Sequence, residues 1–390
     1  DAKIVGWPMA ITAILLGVLE VGAGAILQWQ GTSIKGEAAA WTYDYRETAD
    51  SYSGASWVKD YYKELGQTKV RWTPYAYWEY MAFRGHHLNI DDHGRRATWN
   101  RGHGSQPKPR PIKVFMFGGS TMFGTGARDA YTIPSIVAQL LSAQGVEAEV
   151  SNFGQSGYVS TQEVIRLMRE LQKGNVPDVV VFYDGINDVY SAYQNREAGI
   201  PQNEFNRVKE FNRDASVRDT SKALLVQVIQ YSNVYRLMAK AKKSAKPMVQ
   251  EADVERLAHD VRRVYFANVA LVEGLGRRFG FKVFFFWQPV IFTKTVLSEY
   301  EKRELEKERG VAPLYRAVYD QIGREISAHR ISAHRNEVPV DLSSAFDGTT
   351  SPPAVYTDFC HLSERGNQIV ARQMVMYMQK RGLPRPRTPL

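Results

Sequence analysis

The segment that most constrains the fold is residues 112–126, which read IKVFMFGGSTMFGTG. Residues 112–117 are mostly apolar and end abruptly at Gly118 and Gly119, which predicts a buried strand followed by a sharp turn. Ser120 comes next, so its hydroxyl group is expected directly after the carboxyl end of the strand, with main-chain N–H groups close by. Gly-Gly-Ser-Thr is also an ordinary turn, and the interpretation therefore depends on finding partners for Ser120.

The rest of the chain predicts alternating strands and helices. Amphipathic helices are predicted at residues 131–144 and 161–173, and strands at residues 147–151, 179–183, 282–287 and 338–342. Continuous apolar strands that alternate with helices form parallel sheets covered on both faces. The sequence therefore predicts a three-layer α/β/α sandwich with about five parallel strands, in which ligands bind at the carboxyl ends of the strands.

Composition limits the classes of protein that remain. A chain of 390 residues, 44% hydrophobic and 23% charged, can fill one large domain with extensions. The single cysteine, Cys360, excludes an internal disulfide. The net charge of +9 is spread along the chain, which gives no support for a nucleic-acid partner.

An apolar segment at the N-terminus predicts membrane attachment. Residues 4–29 read IVGWPMAITAILLGVLEVGAGAILQW, about the length that crosses a lipid bilayer as a helix. A cleaved signal peptide is the alternative, but the apolar run is long for one and no clear A-x-A-like site follows it. We therefore expect a transmembrane anchor within residues 1–30.

One face of this expected anchor carries Gly17, Glu20 and Gly24. A carboxyl group is costly in lipid and small residues let helices approach closely, so this face predicts contact with another transmembrane helix. A lone anchor in which Glu20 is protonated is the alternative. The flanking charges, Lys3 and Lys35, are balanced and do not decide the orientation.

Residues 31–111 join the anchor to the first strand of the sheet. Residues 30–80 are rich in Trp, Tyr and small polar side chains without a sustained period, which we interpret as an extended neck lying against the domain. Residues 94–111 contain no acid and several bases: Arg95, Arg96, Arg101, Lys108 and Arg110. Such a run could contact anionic lipid or substrate, but a solvated loop leading into the strand is the simpler interpretation.

The predicted domain over residues 112–380 contains one long insertion. Residues 190–280, approximately, are largely helical in pattern and include a long helix predicted at residues 252–279. This insertion could form a lid or a partner-binding face. A basic, proline-containing tail occupies residues 381–390.

Polar motifs follow the predicted strands. They read NFGQSG at residues 152–157, DGIND at residues 184–188 and DFCHLSERG at residues 358–366. Asp358 precedes His361 by three residues, close enough for the carboxylate to hold one imidazole nitrogen, and Ser363 is expected to cap the helix that follows. Each motif alone is explained as a turn or a cap, but together they predict a shared site.

Four blocks of this sequence resemble the SGNH hydrolases, the esterase superfamily also called GDSL. They are the blocks that contain Ser120, Gly157, Asn187 and His361. The resemblance implies a flavodoxin-like sandwich in which Ser120 is the nucleophile, His361 the general base and Asp358 the residue that orients it. It also implies an oxyanion hole formed by the N–H groups of Ser120 and Gly157 and by the Asn187 side chain.

The resemblance covers residue 112 to about residue 380 and departs from the family pattern at one block. Gly-Gly-Ser-Thr stands where the family has Gly-Asp-Ser-Leu, a variant similar to membrane-anchored bacterial members with a comparable neck. The chemistry that these residues support is acyl transfer from an ester to water, which requires no metal and no cofactor. Cys360 is assigned to packing rather than to nucleophilic attack, because Ser120 already has the strand-end position.

Two functional hypotheses follow. The first is a membrane-anchored serine esterase or deacetylase of cell-envelope glycans or lipids, held in a bacterial inner membrane with its domain on the periplasmic side. The second is an accessory subunit of a membrane complex that uses an SGNH-like domain as a scaffold. The intact serine, histidine and aspartate favour the enzyme, and the Gly17, Glu20 and Gly24 face favours the subunit.

Overall fold

The computed structural model describes residues 15–26, 44–102, 110–213, 232–235, 250–331, 338–347 and 354–383. The chain divides into two compact units, one comprising Asp1–Tyr43 and Phe205–Pro247 and the other comprising Asp44–Glu204 and Met248–Leu390. The second unit contains the predicted sheet and every residue of the expected catalytic site.

The described strands and helices follow one another in the order that the alternation predicts. The strands are β1 (Val70–Thr73), β2 (Tyr77–Tyr80), β3 (Phe83–Arg84), β4 (Asn89–Ile90), β5 (Ile112–Gly118), β6 (Ala148–Asn152), β7 (Val179–Asp184), β8 (Lys282–Trp287) and β9 (Val340–Asp341). The helices are α1 (residues 15–26), α2 (Val58–Gln67), α3 (Ser120–Phe123), α4 (Ile133–Ala143), α5 (Ser160–Gln172), α6 (Ile186–Asn195), α7 (Glu204–Arg213), α8 (Glu251–Phe279), α9 (Glu299–Lys307), α10 (Ala312–Ile331) and α11 (Glu364–Lys380).

Five parallel strands form the central sheet, as predicted. Their order is β6-β5-β7-β8-β9, the arrangement of flavodoxin-like folds. The edge strand β9 is shorter than the predicted residues 338–342, because Pro339 has no N–H group to donate to a strand ladder.

Helices cover both faces of the sheet. Phe284 and Phe286 of β8 contact Tyr377 of α11, whereas Trp287 of the same strand contacts Tyr265 of α8. Neighbouring side chains of a strand point to opposite faces, so α11 and α8 lie in different layers. With α4 beside α11, and α5 and α10 beside α8, the three-layer expectation is confirmed.

The long helix of the insertion is part of the sandwich. We predicted it at residues 252–279, and α8 buries Leu257, Val261, Tyr265 and Val272 against the core. The apolar face of this helix is therefore covered by the sheet layer, and the expectation that the insertion forms a lid or a partner-binding face stays a prediction. Residues 214–231 and 236–249 of the insertion lie outside the described residues.

The neck is more regular than we expected. Instead of an extended chain, it contains α2 and an antiparallel hairpin of β1 and β2. Helix α2 buries Val58, Tyr61 and Tyr62, a spacing of three and four residues that is the usual signal of an amphipathic helix. Its aromatic side chains contribute to a contact with the domain, where Tyr61 accepts a hydrogen bond from the Gly126 N–H (2.9 Å).

Part of the basic loop is structural rather than solvated. Arg96 is 2% exposed and donates to Asp129 (2.8 Å) and to the Ala127 carbonyl (2.7 Å). Arg110 donates through two nitrogens to Asp178 (2.7 and 2.9 Å). The solvated-loop interpretation is therefore wrong for these two arginines, and Lys108 lies outside the described residues.

The described part of the N-terminal segment is helix α1. Among the described residues no helix combines the length and the apolar character that crossing a membrane requires, and residues 4–14 and 27–29 of the expected anchor lie outside the description. The Glu20 carboxylate accepts hydrogen bonds from Ser232 Oγ (2.8 Å), the Asn233 N–H and the Val234 N–H (3.3 Å). It thus has partners in its own unit, and the contact of this face with another transmembrane helix stays a prediction.

Candidate active site

Ser120 is the first residue of the short helix α3, which starts directly after strand β5 and Gly119. Gly119 has φ −77°, so the turn does not require a left-handed backbone there. Close approach is what requires glycine: a Cβ atom at Gly118 would lie 2.9 Å from the Tyr183 carbonyl oxygen, and one at Gly119 would lie 2.0 Å from Asn187 Nδ2. The two glycines thus bring Ser120 against the end of β7.

Three of the expected site residues form one hydrogen-bonded chain. His361 Nε2 lies 2.7 Å from Ser120 Oγ, and His361 Nδ1 lies 2.6 Å from Asp358 Oδ2. A carboxylate can only accept, so Nδ1 carries the proton and Nε2 is left to accept from the serine hydroxyl. Ser363 caps α11 by accepting from the Gly366 N–H, as predicted.

The Asp358 carboxylate is buried and strongly held. Its Oδ1 atom accepts from the N–H groups of Cys360 (2.9 Å) and His361 (2.7 Å). Burial alone would raise the pKa of this carboxyl, but the His361 ring, these hydrogen bonds and the Arg46 charge outweigh burial and hold the pKa well below its usual range. Asp358 is therefore ionised at any pH at which the imidazole can act as a base.

Arg46 is a site residue that the sequence did not reveal. Its Nη1 atom lies 3.6 Å from Asp358 Oδ2, its Nε and Nη2 atoms donate to the two Asp44 oxygens (2.9 and 2.6 Å), and its guanidinium lies over the Tyr62 ring. The local signal was an Asp44-x-x-Glu47 capping box, which predicts a helical turn. No local pattern indicates the contact with Asp358.

Asn187, one of the expected oxyanion-hole residues, lies beside the serine turn. Asn187 is at the start of α6, and its Nδ2 atom lies against Gly119. Gln202 Nε2 donates to Asn187 Oδ1 (3.2 Å), which leaves the amide nitrogen directed toward the turn. Gly157 has φ +76°, and a Cβ atom there would lie 3.2 Å from Gln202 Oε1. Gln202 therefore binds Asn187 and lies next to Gly157, and no local pattern in the sequence indicates it.

The block around Gly157 holds the serine turn in place. Asn152 Nδ2 donates to the Met122 carbonyl of α3 (3.0 Å), and Gln155 exchanges hydrogen bonds with the Tyr80 N–H (2.8 Å) and the Gly94 carbonyl (2.7 Å). The block thus connects the serine turn to the hairpin of the neck.

The two polar residues of the Gly-x-Asn-Asp block have different surroundings. Asn187 faces the serine turn, whereas Asp188 Oδ1 accepts from Ser160 Oγ (2.6 Å) and from the Ser160 N–H (3.2 Å) at the start of α5. Asp188 therefore supports the scaffold behind the site.

Cys360 is buried, and burial raises the pKa of its thiol well above the ordinary value. Its packing role is consistent with this environment.

Asp358, Cys360 and His361 present donor atoms within 4.8 Å of one another, close enough to share a metal ion. The Asp358 Oδ2 and His361 Nδ1 atoms, however, are joined by a hydrogen bond in the chain described above, and the expectation that no metal is needed stays a prediction.

Comparisons with known proteins identify the family. Residues 114–374 match the model of the GDSL-like lipase/acylhydrolase family, and no curated protein matches the sequence.

Several solved structures are similar. An acetyl xylan esterase, AlAXEase, is 16% identical, with 68% of this chain and 100% of that chain covered and a TM-score of 0.34. A lipase/acylhydrolase from Enterococcus faecalis is 16% identical, with coverages of 71% and 100% and a TM-score of 0.35. A member of the lipolytic protein G-D-S-L family from Veillonella parvula DSM 2008 is 12% identical, with coverages of 69% and 99% and a TM-score of 0.40. Because the family model spans well over half of the chain and includes Ser120 and His361, the chain belongs to the GDSL-like lipase/acylhydrolase (SGNH) family of ester hydrolases.

Proposed function

We propose that the protein is a serine esterase in which Ser120 is the nucleophile, His361 the general base and Asp358 the residue that holds the imidazole. The observation that carries this proposal is the hydrogen-bonded chain from Ser120 Oγ through His361 to Asp358, with distances of 2.7 and 2.6 Å. A serine hydroxyl is a poor nucleophile until a base removes its proton, and this arrangement supplies that base in the correct tautomer.

The chemical steps follow from these positions. Ser120 Oγ bonds to the acyl carbon while His361 Nε2 takes the hydroxyl proton, and the resulting tetrahedral species breaks its bond to the alcohol oxygen, which leaves with that proton. Water then attacks the acyl-serine, His361 takes its proton, and the acid is released as Ser120 recovers its hydrogen. General base catalysis of this kind contributes roughly 10²–10⁴-fold to the rate.

The negative charge on the tetrahedral species needs hydrogen-bond donors. We assign this role to the N–H groups of Ser120 and Gly157 and to Asn187 Nδ2, which lies against Gly119. Donors that are fixed before the reaction stabilise charge where it develops, and the loss of one costs on the order of 10²–10³ in kcat.

The proposed substrate carries a small acyl group such as acetyl. Ser120 is only 7% exposed and the residues of α3 around it are buried, which favours a short acyl chain over a long one. We propose an ester of a cell-envelope glycan or lipid as the natural substrate, in keeping with attachment of the protein to a membrane.

The proposed location is a bacterial inner membrane, with residues 4–29 as the anchor and the hydrolase domain on the periplasmic side. The apolar sequence of residues 4–29 supports the anchor, as do the exposed apolar side chains of α1, which include Leu16, Val18 and Val21. Orientation rests on the resemblance to anchored bacterial members. Digestion of the domain by protease added to right-side-out spheroplasts is expected, and full protection would contradict the orientation.

Turnover of a short-chain aryl ester tests the catalytic proposal. We expect the wild-type protein to hydrolyse 4-nitrophenyl acetate and Ser120→Ala to reduce kcat to background while the circular dichroism spectrum is unchanged, because the covalent route needs the hydroxyl. The matched control is Ser327→Ala, which removes a hydroxyl from the exposed surface of α10.

A mass increase on Ser120 after treatment with a fluorophosphonate would identify the nucleophile directly. Equal background turnover by the wild type and Ser120→Ala over a broad panel of esters would contradict the esterase. The scaffold hypothesis, an accessory subunit of a membrane complex, would then explain the chain better.

A further inference from the structure

A cavity of about 320 Å³ lies beside the β1–β2 hairpin and helix α5. Two carboxylates, Glu79 and Glu170, line it together with five cationic side chains, which are Arg71, Arg95, Arg166, Arg169 and Lys173. We call this space the cationic cavity. Neither Ser120 nor His361 lines it, and the proposed esterase chemistry does not use it.

The cations of this cavity outnumber their acidic partners. Glu79 is shared between two guanidinium groups, with Arg71 at 2.7 Å and Arg166 at 3.4 Å. Within the described residues Arg169 has no carboxylate at ion-pair distance, and it donates instead to the hydroxyl of Thr73 (2.9 Å) and to a main-chain carbonyl. Positive charge is therefore incompletely compensated on this wall of the cavity.

Arg166 adds a second, independent observation. It is 7% exposed, donates through Nη2 to the His93 carbonyl (3.0 Å) and stacks over the Phe153 ring. Within the part of the chain that the structure describes, its buried Nε–H group has no hydrogen-bond partner. Burying a guanidinium with an unused donor is costly, and a negative charge in the adjoining cavity would lower that cost.

We propose that the cationic cavity binds a small ligand through an oxyanion, that is, a phosphate or carboxylate group. A guanidinium group presents paired N–H donors that match the oxygens of both groups, and Lys173 adds a mobile point charge. The volume of about 320 Å³ falls at the lower end of the range for ligand pockets, so it accommodates more than the oxyanion alone. The rings of Phe153 and Tyr158 provide its apolar wall.

The cavity adjoins the catalytic scaffold without sharing its chemistry. Tyr158 follows Gly157 directly in the chain, and the Trp78 ring contacts that of Tyr158 edge to face. Binding of an oxyanion does not require Ser120, so the Ser120→Ala protein is expected to bind as tightly as the wild type. The ligand site can therefore be tested whatever the outcome for the esterase.

Isothermal titration calorimetry of the full chain is the test. The probes are inorganic phosphate and sodium glucuronate, with glucose as the uncharged control. We expect saturable, one-site binding of at least one anion that weakens with added salt, and no binding of glucose. The two anions distinguish a phosphate site from a carboxylate site. Arg169→Gln is expected to weaken binding by roughly tenfold or more, because a charge-assisted hydrogen bond is lost.

A pair of lysines supplies the matched control. Lys173 in the cavity and Lys302 on α9 each bind a glutamate three residues earlier at 2.7 Å, and their side chains are 61% and 58% exposed. Lys173→Gln should weaken anion binding and Lys302→Gln should not. Because the Lys173 side chain is exposed, its replacement should not disturb folding. The Lys173→Gln variant therefore still tests the proposal if Arg169→Gln fails to fold. Failure of the wild type to bind either anion, or equal affinities of Lys173→Gln and Lys302→Gln, would overturn the proposal.

Discussion

Arg46 Nη1 lies 3.6 Å from Asp358 Oδ2, the same oxygen that receives the His361 Nδ1 hydrogen bond. A residue of the neck therefore contacts the carboxylate that orients the proposed base. The position of Arg46 is fixed by its paired hydrogen bonds to Asp44 and by the Tyr62 ring beneath it. The neck is thus a part of the site as well as a connection to the N-terminal segment.

Arg46→Met is expected to lower kcat/KM for an aryl acetate while the fold is kept. The guanidinium lies 3.6 Å from Asp358 Oδ2 and helps to hold the pKa of that carboxyl below its usual range, so its removal leaves the carboxylate less firmly placed beside His361. We expect a loss of roughly tenfold, which corresponds to about 1.4 kcal/mol of transition-state stabilisation. The measurement is kcat/KM of the wild type and the variant at neutral pH.

The control for this prediction is Arg84→Met, which removes a guanidinium that donates to the Ile90 carbonyl (3.0 Å). Equal kcat/KM values for Arg46→Met and the wild type would show that the Arg46 charge does not support the Asp358 carboxylate.

Gln202→Leu is expected to lower kcat by roughly tenfold with little change in KM. Gln202 Nε2 binds Asn187 Oδ1 (3.2 Å), and without it the Asn187 amide is free to turn away from the position where negative charge develops. Asn187→Ala, which removes the donor itself, should cost on the order of 10²–10³ in kcat. Gln202 is a positioning residue in this account.

A double-mutant cycle separates this role from a general structural one. If Gln202 acts through Asn187, the Asn187→Ala/Gln202→Leu variant has the same kcat as Asn187→Ala alone, because the second change removes nothing further. Multiplicative losses in the double variant would argue that Gln202 acts elsewhere.

Adding one methyl group at each of the paired glycines should have different consequences. A Cβ atom at Gly119 would meet Asn187 Nδ2, the end of a side chain, whereas one at Gly118 would meet the Tyr183 main-chain oxygen. Gly119→Ala should therefore keep the fold and lose most activity as Asn187 is displaced. Gly118→Ala should lower the free energy of unfolding by about 1–3 kcal/mol.

Urea denaturation and kcat, measured on both alanine variants, check this contrast. A Gly119→Ala enzyme with wild-type activity would contradict the close packing of Asn187 against the turn.

The sequence predicted the central elements because their signals are local. Strand β8 has the predicted bounds, and α8 differs from its prediction by one residue at its start, since continuous apolar runs and a long amphipathic period need no tertiary information. Helix α2 carried the same kind of signal at Val58, Tyr61 and Tyr62, but the surrounding aromatic composition obscured it.

The contacts that complete the site were beyond sequence reasoning. Arg46 and Asp358 are far apart in the sequence. The pairing of Gln202 with Asn187 depends on how the chain after α6 returns to the sheet. Arg96 was grouped with a solvated loop because its neighbours are basic, whereas its guanidinium donates to main-chain carbonyls at the end of α3 and just after it. Such contacts depend on the packed structure rather than on spacing.

The last prediction concerns a group of buried carboxyls behind the site. Burial, followed by the charge of Asp188, raises the pKa of Asp184 to about 8. Its hydrogen-bond neighbour Glu163 is also fully buried, and burial raises the pKa of that carboxyl as well. An unfolded aspartate has a pKa of about 3.9, so the folded protein binds this proton more tightly than the unfolded chain does. The resulting stabilisation is fully present below the unfolded pKa, and it is lost as the pH rises through the folded pKa of about 8.

Asp184→Asn removes this titration while keeping the size of the side chain. Between about pH 5 and about pH 9, the free energy of unfolding should decrease in the wild type more than in Asp184→Asn. We expect the two decreases to differ by on the order of 3 kcal/mol. The control is Asp320→Asn on α10, whose carboxylate is exposed and should leave the pH dependence unchanged. Urea denaturation at the two pH values measures the difference. Parallel losses of stability in the wild type and Asp184→Asn would show that Asp184 is already ionised in the folded protein, with the cost of its charge met by groups around it.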